Sequence, residues 1–143
     1  MSTEKAAFTR PAARLTHAGA LVALTAAVAK AEAMGVPQNI SIVDEGGNLL
    51  AFVRMDGAKL LSRETSMSKA ISAASHRQPT SRLDPALELK LAIAAGGRLT
   101  NLEGGFPIIL DGVCVGGIGV GSGKGSEDVE VAKAALAAIG AEV

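Results

Sequence analysis

The chain is almost free of large aromatic side chains, and this limits both its packing and its ligands. Its 143 residues include no Trp, no Tyr and three Phe, against 17 Gly and 27 Ala. Stacking platforms for bases, sugars or methylammonium groups need aromatic rings, so these binding modes are nearly excluded. Small side chains let helices approach a sheet closely but bury little apolar area. We therefore expect a homo-oligomer, whose interface supplies the burial that one chain lacks.

Length and charge set further limits. The chain suits one domain, and its 14 Lys and Arg balance its 14 Asp and Glu. A balanced chain offers no basic surface to a polyanion, so we expect no nucleic acid partner. No stretch reaches ~18 consecutive apolar residues, and the opening residues 1–5 are unlike a signal peptide. The sequence predicts a cytoplasmic protein without a membrane partner.

Two hairpin signals predict an antiparallel sheet. Residues 39–43 alternate polar and apolar, and residues 49–54 return after a Gly-rich turn. Residues 107–110 and 113–120 flank an Asp-Gly pair at 111–112, a strong signal for a two-residue hairpin turn.

Four helical segments complete the pattern. They are predicted over 15–34, over 63–75 with Ser62 as N-cap, from 85 to about 95, and from the N-cap Ser126 to 139. Helices that bury Ala-rich faces on an antiparallel sheet form an α+β layered domain. We expect residues 1–14 to be an N-terminal arm and residues 15–143 to be a single domain.

The Gly-rich segment 119–126 is similar to a phosphate-binding loop without matching one. Ile118 stands where the Walker pattern requires Gly, and Gly125 stands where it requires Ser or Thr. The dinucleotide fingerprint would need Gly at position 124, which is Lys. The Gly-rich turn either binds an anion through its backbone N–H groups or only caps the next helix.

Several charged residues are candidates for ligand binding. Arg54 and Asp56 flank a turn, where they clamp a carboxylate or simply pair with each other. Lys69, inside the second predicted helix, is a surface lysine or a cation that faces a cleft.

The chain has two histidines and one cysteine. His76 ends a predicted helix, where it is a partner of the helix dipole, a general base or an axial heme ligand. His17 is a solvent-exposed residue or a second axial candidate. Cys114 reads as a small buried hydrophobe, and a single cysteine excludes a disulfide framework and a multi-thiolate zinc site. We expect no metal site.

With these segments placed, the sequence resembles the GlcG/HbpS family, the heme-degrading-domain or PduO C-terminal-like proteins. The resemblance runs from about residue 15 to 139 and depends on the order and spacing of short motifs. These motifs are Ala33–Pro37, Ser41–Asp44 with Gly46 and Gly47, Arg54–Ala58, Lys69–Ala70, Pro79–Thr80, Gly104–Pro107, Asp111–Gly112, and Gly116–Val120 with Asp128.

The resemblance implies a profilin-like α-β-α sandwich that assembles into dimers and larger rings. Relatives bind heme or cobalamin-related tetrapyrroles, whereas others look like small catabolic enzymes, including hydroxylaminobenzoate lyases. This chain departs from the family at one point. After residue 120 the family usually reads Ser-Gly-Gly, whereas this chain reads Gly121, Ser122, Gly123, which moves the hydroxyl by one residue.

Three hypotheses follow, of which the first two assume a small, anionic ligand and the third assumes none. In a heme-binding accessory protein, Arg54 and Lys69 would pair with propionates, and His17 or His76 would bind iron. In a cofactor-free lyase or isomerase of small aromatic or hydroxy carboxylates, the same two cations would hold the acid. The remaining residues of that enzyme site would be Gly104, Gly105, Gly121, Ser122 and Gly123 around the ligand, with His76 or Asp128 moving a proton. In an oligomeric scaffold the Gly motifs would only maintain turns.

Overall fold

The structure, a computed structural model, describes residues 7–143, so residues 1–6 of the predicted arm lie outside the described residues. The strands are β1 (Asn39–Asp44), β2 (Leu49–Arg54), β3 (Gly105–Leu110) and β4 (Val113–Gly121). The helices are α1 (His17–Met34), α2 (Ser62–His76), α3 (Glu88–Ala94) and α4 (Gly125–Ala138), with a short 3-10 helix at Thr80–Arg82.

The two predicted hairpins form a single antiparallel sheet with the strand order β2-β1-β4-β3. β1 pairs with both β2 and β4, so Asn39 lies opposite Arg54 on one side and opposite Gly121 on the other. Asp111 and Gly112 join β3 to β4 with φ angles of 49° and 77°, the positive values that a tight Asp-Gly turn requires. The pairing places the ends of β2 and β4 at the same end of the sheet.

Helices cover both faces of this sheet. α1 and α4 pack against each other and on one face, whereas α2 packs on the other face. Beneath α1 and α4 lie fully buried strand residues such as Ile40, Ile42 and Ile118. This arrangement confirms the predicted α+β class with helix layers on both sides of an antiparallel sheet.

Glycines in β4 allow α2 to lie directly on the strand. A Cβ added at Gly117 would overlap the carbonyl oxygen of Ala70, and a Cβ at Gly119 would overlap that of Ser66. The hydroxyls of Ser41 and Ser66 are 2.8 Å apart and form a buried hydrogen bond between β1 and α2. The close approach predicted from the small residues therefore occurs along β4.

The start of α4 differs from the prediction that Ser126 is its N-cap. The helix begins at Gly125, and the backbone N–H of Lys124 donates to Glu127 Oε1 at 2.8 Å. Ser126 consequently lies inside the first turn. Similarly, Ser62 is the first residue of α2 rather than its N-cap. The N-cap is Leu61, whose side chain makes no capping hydrogen bond.

α3 is shorter than predicted at its N-terminal end. Asp84 Oδ1 accepts a hydrogen bond from the N–H of Ala86 at 2.9 Å, and the Asp84 carbonyl accepts from Leu87. These bonds form a turn over the residues predicted as the first helical turn, so the helix begins only at Glu88.

Asp44 organises the turn between β1 and β2. Its Oδ1 accepts hydrogen bonds from the backbone N–H groups of Gly46 (2.9 Å) and Asn48 (3.0 Å), and the Asn48 amide also donates to the carboxylate. Burial opposes the charge, but the hydrogen bonds from Asn48 and Gly46 together hold the pKa of Asp44 below its usual value.

This turn predicts a specific acid sensitivity. Because the pKa of Asp44 is lower in the folded state, its stabilising effect is complete above the unfolded pKa and is lost as pH falls through the folded pKa. We expect wild type to lose more stability than Asp44→Asn between about pH 6 and about pH 3. Urea midpoints at both pH values measure the difference. Equal losses in the two proteins would contradict the prediction.

Candidate functional site

A cavity of about 380 Å³ lies where α2 begins and β4 ends, and we call it the lysine cavity. It contains several residues singled out from the sequence. Its lining consists of Lys59, Ser62, Thr65, Lys69, Leu102, Glu103, Ser122, Gly123, Gly125 and Asp128.

The charged centre of the cavity is a buried ion pair. Lys69 Nζ lies 3.1 Å from Asp128 Oδ2 and donates a second hydrogen bond to the Val120 carbonyl at 2.7 Å. Lys69 comes from α2 and Asp128 from α4, so the pair joins the two helical layers at the end of the sheet. Both residues are nearly inaccessible, at 4% and 2% exposed. Lys69 is therefore not a surface lysine.

The environment of Asp128 favours its neutral form more than water does. Burial raises the pKa of its carboxyl, and the nearby Lys69 ammonium and the Gly123 N–H only partly oppose that rise. Gly123 N–H donates to Asp128 Oδ1 at 3.0 Å, so both carboxylate oxygens accept a hydrogen bond.

Three predicted glycines border the ion pair without lining the cavity. A Cβ at Gly104 would lie 2.8 Å from Asp128 Cβ, and a Cβ at Gly105 would lie 2.6 Å from the Lys69 carbonyl oxygen. Gly121 approaches the start of α2 in the same way. These glycines allow the backbone to close around the pair, and their role toward a ligand stays a prediction.

Ser122 has an unusual backbone for a non-glycine residue, with φ of 100°. Its Oγ accepts a hydrogen bond from the backbone N–H of Lys59 at 2.9 Å, which fixes the segment before α2 against the end of β4.

Sequence reasoning missed Lys59, Ser62 and Thr65. The spacing of Ser62, Thr65 and Lys69 places the three on one side of a helix, and this was the available signal.

The structure does not place Arg54 and Asp56 in the lysine cavity. Both are exposed and line a separate groove of about 540 Å³ between β2 and the C-terminal end of α1. Val28, Val36 and Pro37 contribute apolar walls to this groove.

The two histidines lie apart from the lysine cavity. His17 is exposed at the first residue of α1, and His76 is half-buried at the last residue of α2. His76 Nδ1 is 3.2 Å from the Ser72 carbonyl oxygen, so a neutral ring donates from Nδ1 and keeps the lone pair on Nε2. Neither ring lines the cavity that holds Lys69 and Asp128.

A larger groove of about 650 Å³ lies at the opposite end of β4 and α2, and we call it the arm groove. One wall is the extended segment before α1, which is held by the Arg14–Glu45 ion pair (2.7 Å) and by the Leu15 N–H on the Val115 carbonyl (3.1 Å). The lining consists of Arg10, Pro11, Ala12, Ala13, Glu45, Ala74, Ser75, Arg77, Gly112, Val113 and Cys114.

Cys114 is half-buried in the wall of the arm groove, rather than enclosed in the core as predicted. Its Sγ lies 3.4 Å from the Gly116 carbonyl oxygen. Burial raises the pKa of the Cys114 thiol, and the positive charge of Arg77 only partly opposes the rise.

Residues 7–143 contain neither a membrane-spanning helix nor a cluster of metal-binding side chains. No helix there combines the length and apolar character needed to cross a bilayer. No group of three or more His, Cys, Asp or Glu side chains in the same range is arranged to hold a metal ion.

Comparison with known proteins decides the family. The family model described as "Haem degrading protein HbpS-like" matches residues 15–137. The chain belongs to the HbpS-like family. An uncharacterized 15.0 kDa protein from the dhaT-dhaS intergenic region of Citrobacter freundii is 37% identical over 130 residues, which cover 87% of this chain and 91% of that protein. The family resemblance inferred from the short motifs is thereby confirmed.

Solved structures show the same fold. Protein ORFY of Klebsiella pneumoniae is 31% identical with a TM-score of 0.88, and the match covers 94% of this chain and 97% of that one. A crystal structure of a PduOC–heme complex is 29% identical with a TM-score of 0.84, covering 90% of this chain and 97% of that one.

Proposed function

We propose that this HbpS-like protein is a heme-binding accessory protein and that the arm groove is its heme site. The observation that carries the proposal is the groove itself, which combines two guanidinium groups, small apolar side chains and a thiol. The similarity to PduOC, whose structure is that of a heme complex, supports the same ligand class.

The lysine cavity fits heme poorly. Lys69 and Asp128 are bound to each other at its centre, and its lining contains no imidazole, thiol or aromatic ring. Hydroxyl groups and charges dominate its walls, whereas a tetrapyrrole needs a largely apolar surface and an iron ligand. Lys69 is therefore not part of the proposed heme site.

The arm groove offers a suitable donor set. Arg10 and Arg77 are cations for the two propionates, since guanidinium groups pair with carboxylates through two hydrogen bonds. Ala12, Ala13 and Val113 supply apolar contact for the macrocycle. These residues replace Arg54 and Lys69, which the sequence suggested for the propionates.

Three side chains are candidates to supply an iron ligand near this groove. Cys114 lines it, and His76 is flanked by the lining residues Ser75 and Arg77 with its Nε2 lone pair uncommitted. His17 follows closely after the arm segment and is the third candidate. Bound heme supplies iron for one-electron or O₂ chemistry. This chain would hold the propionates and restrict access to the metal.

Hemin titration followed at the Soret band tests this proposal. Wild type should give a saturable shift, and Arg77→Gln should weaken binding roughly tenfold through loss of a charge-assisted contact. Arg63→Gln is the matched control, because Arg63 is an exposed arginine on the same helix at its other end. Loss of the shifted band in His17→Ala, His76→Ala or Cys114→Ser identifies the iron ligand.

Two results would contradict the heme proposal. One is a broad, non-saturating change that is equal in wild type and all variants, which indicates nonspecific adsorption. The other is equal weakening by Arg77→Gln and Arg63→Gln, which indicates a general charge effect.

Self-association is part of the proposal. α3 has no buried residue, and Leu89 and Ile93 on it are 72% and 73% exposed. Such apolar surface supports an interface between copies of the chain. Sedimentation equilibrium should give a mass of at least twice the 14.3 kDa of one chain, and a mass of 14.3 kDa would contradict self-association.

A further inference from the structure

One exposed aromatic ring lies on the arm that forms a wall of the arm groove. Phe8 is 88% exposed, whereas Phe52 and Phe106 are half-buried in β2 and β3. In a chain with three aromatic rings, the exposed one stands directly before the segment that lines the groove. A ring in this place has a use if an apolar ligand covers it.

We propose that residues 8–14 form a strap that closes over heme in the arm groove, with the Phe8 ring packed on the macrocycle. The Arg14–Glu45 ion pair is the latch of this strap. The inference rests on the proposed heme site, and it adds a ligand-binding residue and a gate to that site.

The base of the strap is fixed. Leu15 is buried, and its N–H donates to the Val115 carbonyl at 3.1 Å. Thr16 caps α1, because its Oγ1 accepts a hydrogen bond from the Gly19 N–H at 3.0 Å. The chain is therefore held from Leu15 onward, and any displacement of the strap pivots just before that residue.

The strap itself opens at little cost. Residues 8–14 are all exposed, and segments that bury little surface open locally at low free energy. In the latch, Arg14 Nε lies 2.7 Å from Glu45 Oε1, with the two side chains 66% and 31% exposed. An ion pair so open to water is weak and is screened by salt. Heme can consequently enter without disturbance of the sheet or of α1.

Phe8 is within reach of a ligand in the groove. It stands two residues before the lining residue Arg10, and two residues of chain span at most ~7 Å. Pro11 favours an extended backbone at Arg10, which stiffens the strap where it borders the groove. The macrocycle would then lie between the Phe8 ring and the opposite wall, which includes Ala74 and Val113. Burial of the ring against the porphyrin stabilises the closed strap.

The latch also adjusts the charge of the groove. The charged residues of the lining are Arg10, Arg77 and Glu45. With the latch closed, Arg14 neutralises Glu45, and Arg10 and Arg77 remain for the two propionates. With the latch open, the Glu45 carboxylate repels the propionates. Closure of the strap therefore retains heme both by contact and by charge.

Transfer of heme from the loaded protein to an excess of apomyoglobin measures how fast heme leaves. Phe8→Ala should raise the dissociation rate about tenfold, because the apolar contact of the ring is lost. Phe8→Trp keeps an aromatic ring and should stay within about twofold of wild type. Leu60→Ala is the matched control, because Leu60 is an exposed apolar residue before the other end of α2. Both sites are exposed, so the variants should fold as wild type does.

The latch is tested without heme. Heteronuclear NOE values of the Ala12 and Ala13 amides report motion of the strap on the picosecond to nanosecond timescale. Glu45→Gln should lower these values, because the ion pair that holds Arg14 is weakened. Glu130→Gln, an exposed substitution on α4, is the control and should leave them unchanged.

The possible failures are distinguishable. Saturable hemin binding with equal dissociation rates in Phe8→Ala and Leu60→Ala would overturn the strap and leave the heme site standing. Absence of saturable binding in wild type would overturn both. Unchanged NOE values in Glu45→Gln would overturn the latch. A lower sedimentation mass of Phe8→Ala at an unchanged dissociation rate would show that Phe8 packs against a second copy of the chain instead.

Discussion

Replacing Gly119 by alanine is expected to lower the free energy of unfolding by about 3 kcal/mol, because the new methyl group has no space. Its Cβ would overlap the Ser66 carbonyl oxygen and lie 2.5 Å from the Ala70 nitrogen. These are backbone atoms of α2, so the helix must move away from the sheet and weaken the packing beneath it. Urea unfolding followed by circular dichroism measures the loss.

Gly46→Ala is the control for this substitution. Gly46 lies in the exposed turn after β1, and its added Cβ would meet the movable Asn48 amide at 3.2 Å and Asp44 Oδ1 at 3.5 Å, an ordinary van der Waals distance. We expect a change within about 0.5 kcal/mol at this position. Equal destabilisation by the two substitutions would show that α2 does not rest on β4 as closely as described.

Lys69→Met is expected to cost about 4 kcal/mol at neutral pH, because it leaves the Asp128 carboxylate buried without its cation. The pKa of Asp128 is already raised by burial, and loss of Lys69 raises it further. A folded pKa above the unfolded one stabilises the protein at low pH and stops doing so as pH rises through the folded value. The variant should therefore recover part of its stability at about pH 4.

The double variant Lys69→Met/Asp128→Leu tests whether the effects of the two charges on stability depend on each other. Removing both charges leaves no uncompensated group, so stability should return to within about 1 kcal/mol of wild type. A loss in the double variant equal to the sum of the single losses would contradict an ion pair between these residues. The same cycle measures how much the pairing of Lys69 and Asp128 contributes to the free energy of unfolding.

Much of the fold follows from local signals in the sequence. The turn at Asp111 and Gly112 depends on two adjacent residues, so it was predicted with its flanking strands. Helix starts were less predictable, because two neighbouring side chains, Ser126 and Glu127, can each cap the start of α4. In the structure the Glu127 carboxylate accepts the hydrogen bond from the Lys124 N–H.

The candidate site was predictable only in part. Lys69 and Asp128 are 59 residues apart, and neither position alone indicates that the two side chains meet. The pairing depends on α2 and α4 reaching the same end of the sheet from opposite faces, which is a property of the tertiary structure. Arg54 and Lys69 were grouped because both are cations, whereas the fold places them in separate cavities.

The location of bound heme is tested most directly by amide spectra of ¹⁵N-labelled protein with and without one equivalent of hemin. Paramagnetic iron broadens the signals of nearby nuclei, so the signals that disappear map the site. Heme in the arm groove predicts loss at Ala13, Arg77 and Cys114, with the signals of Ser122 and Gly123 intact. Loss centred on Ser122 and Gly123, or no selective loss, would contradict heme binding in the arm groove.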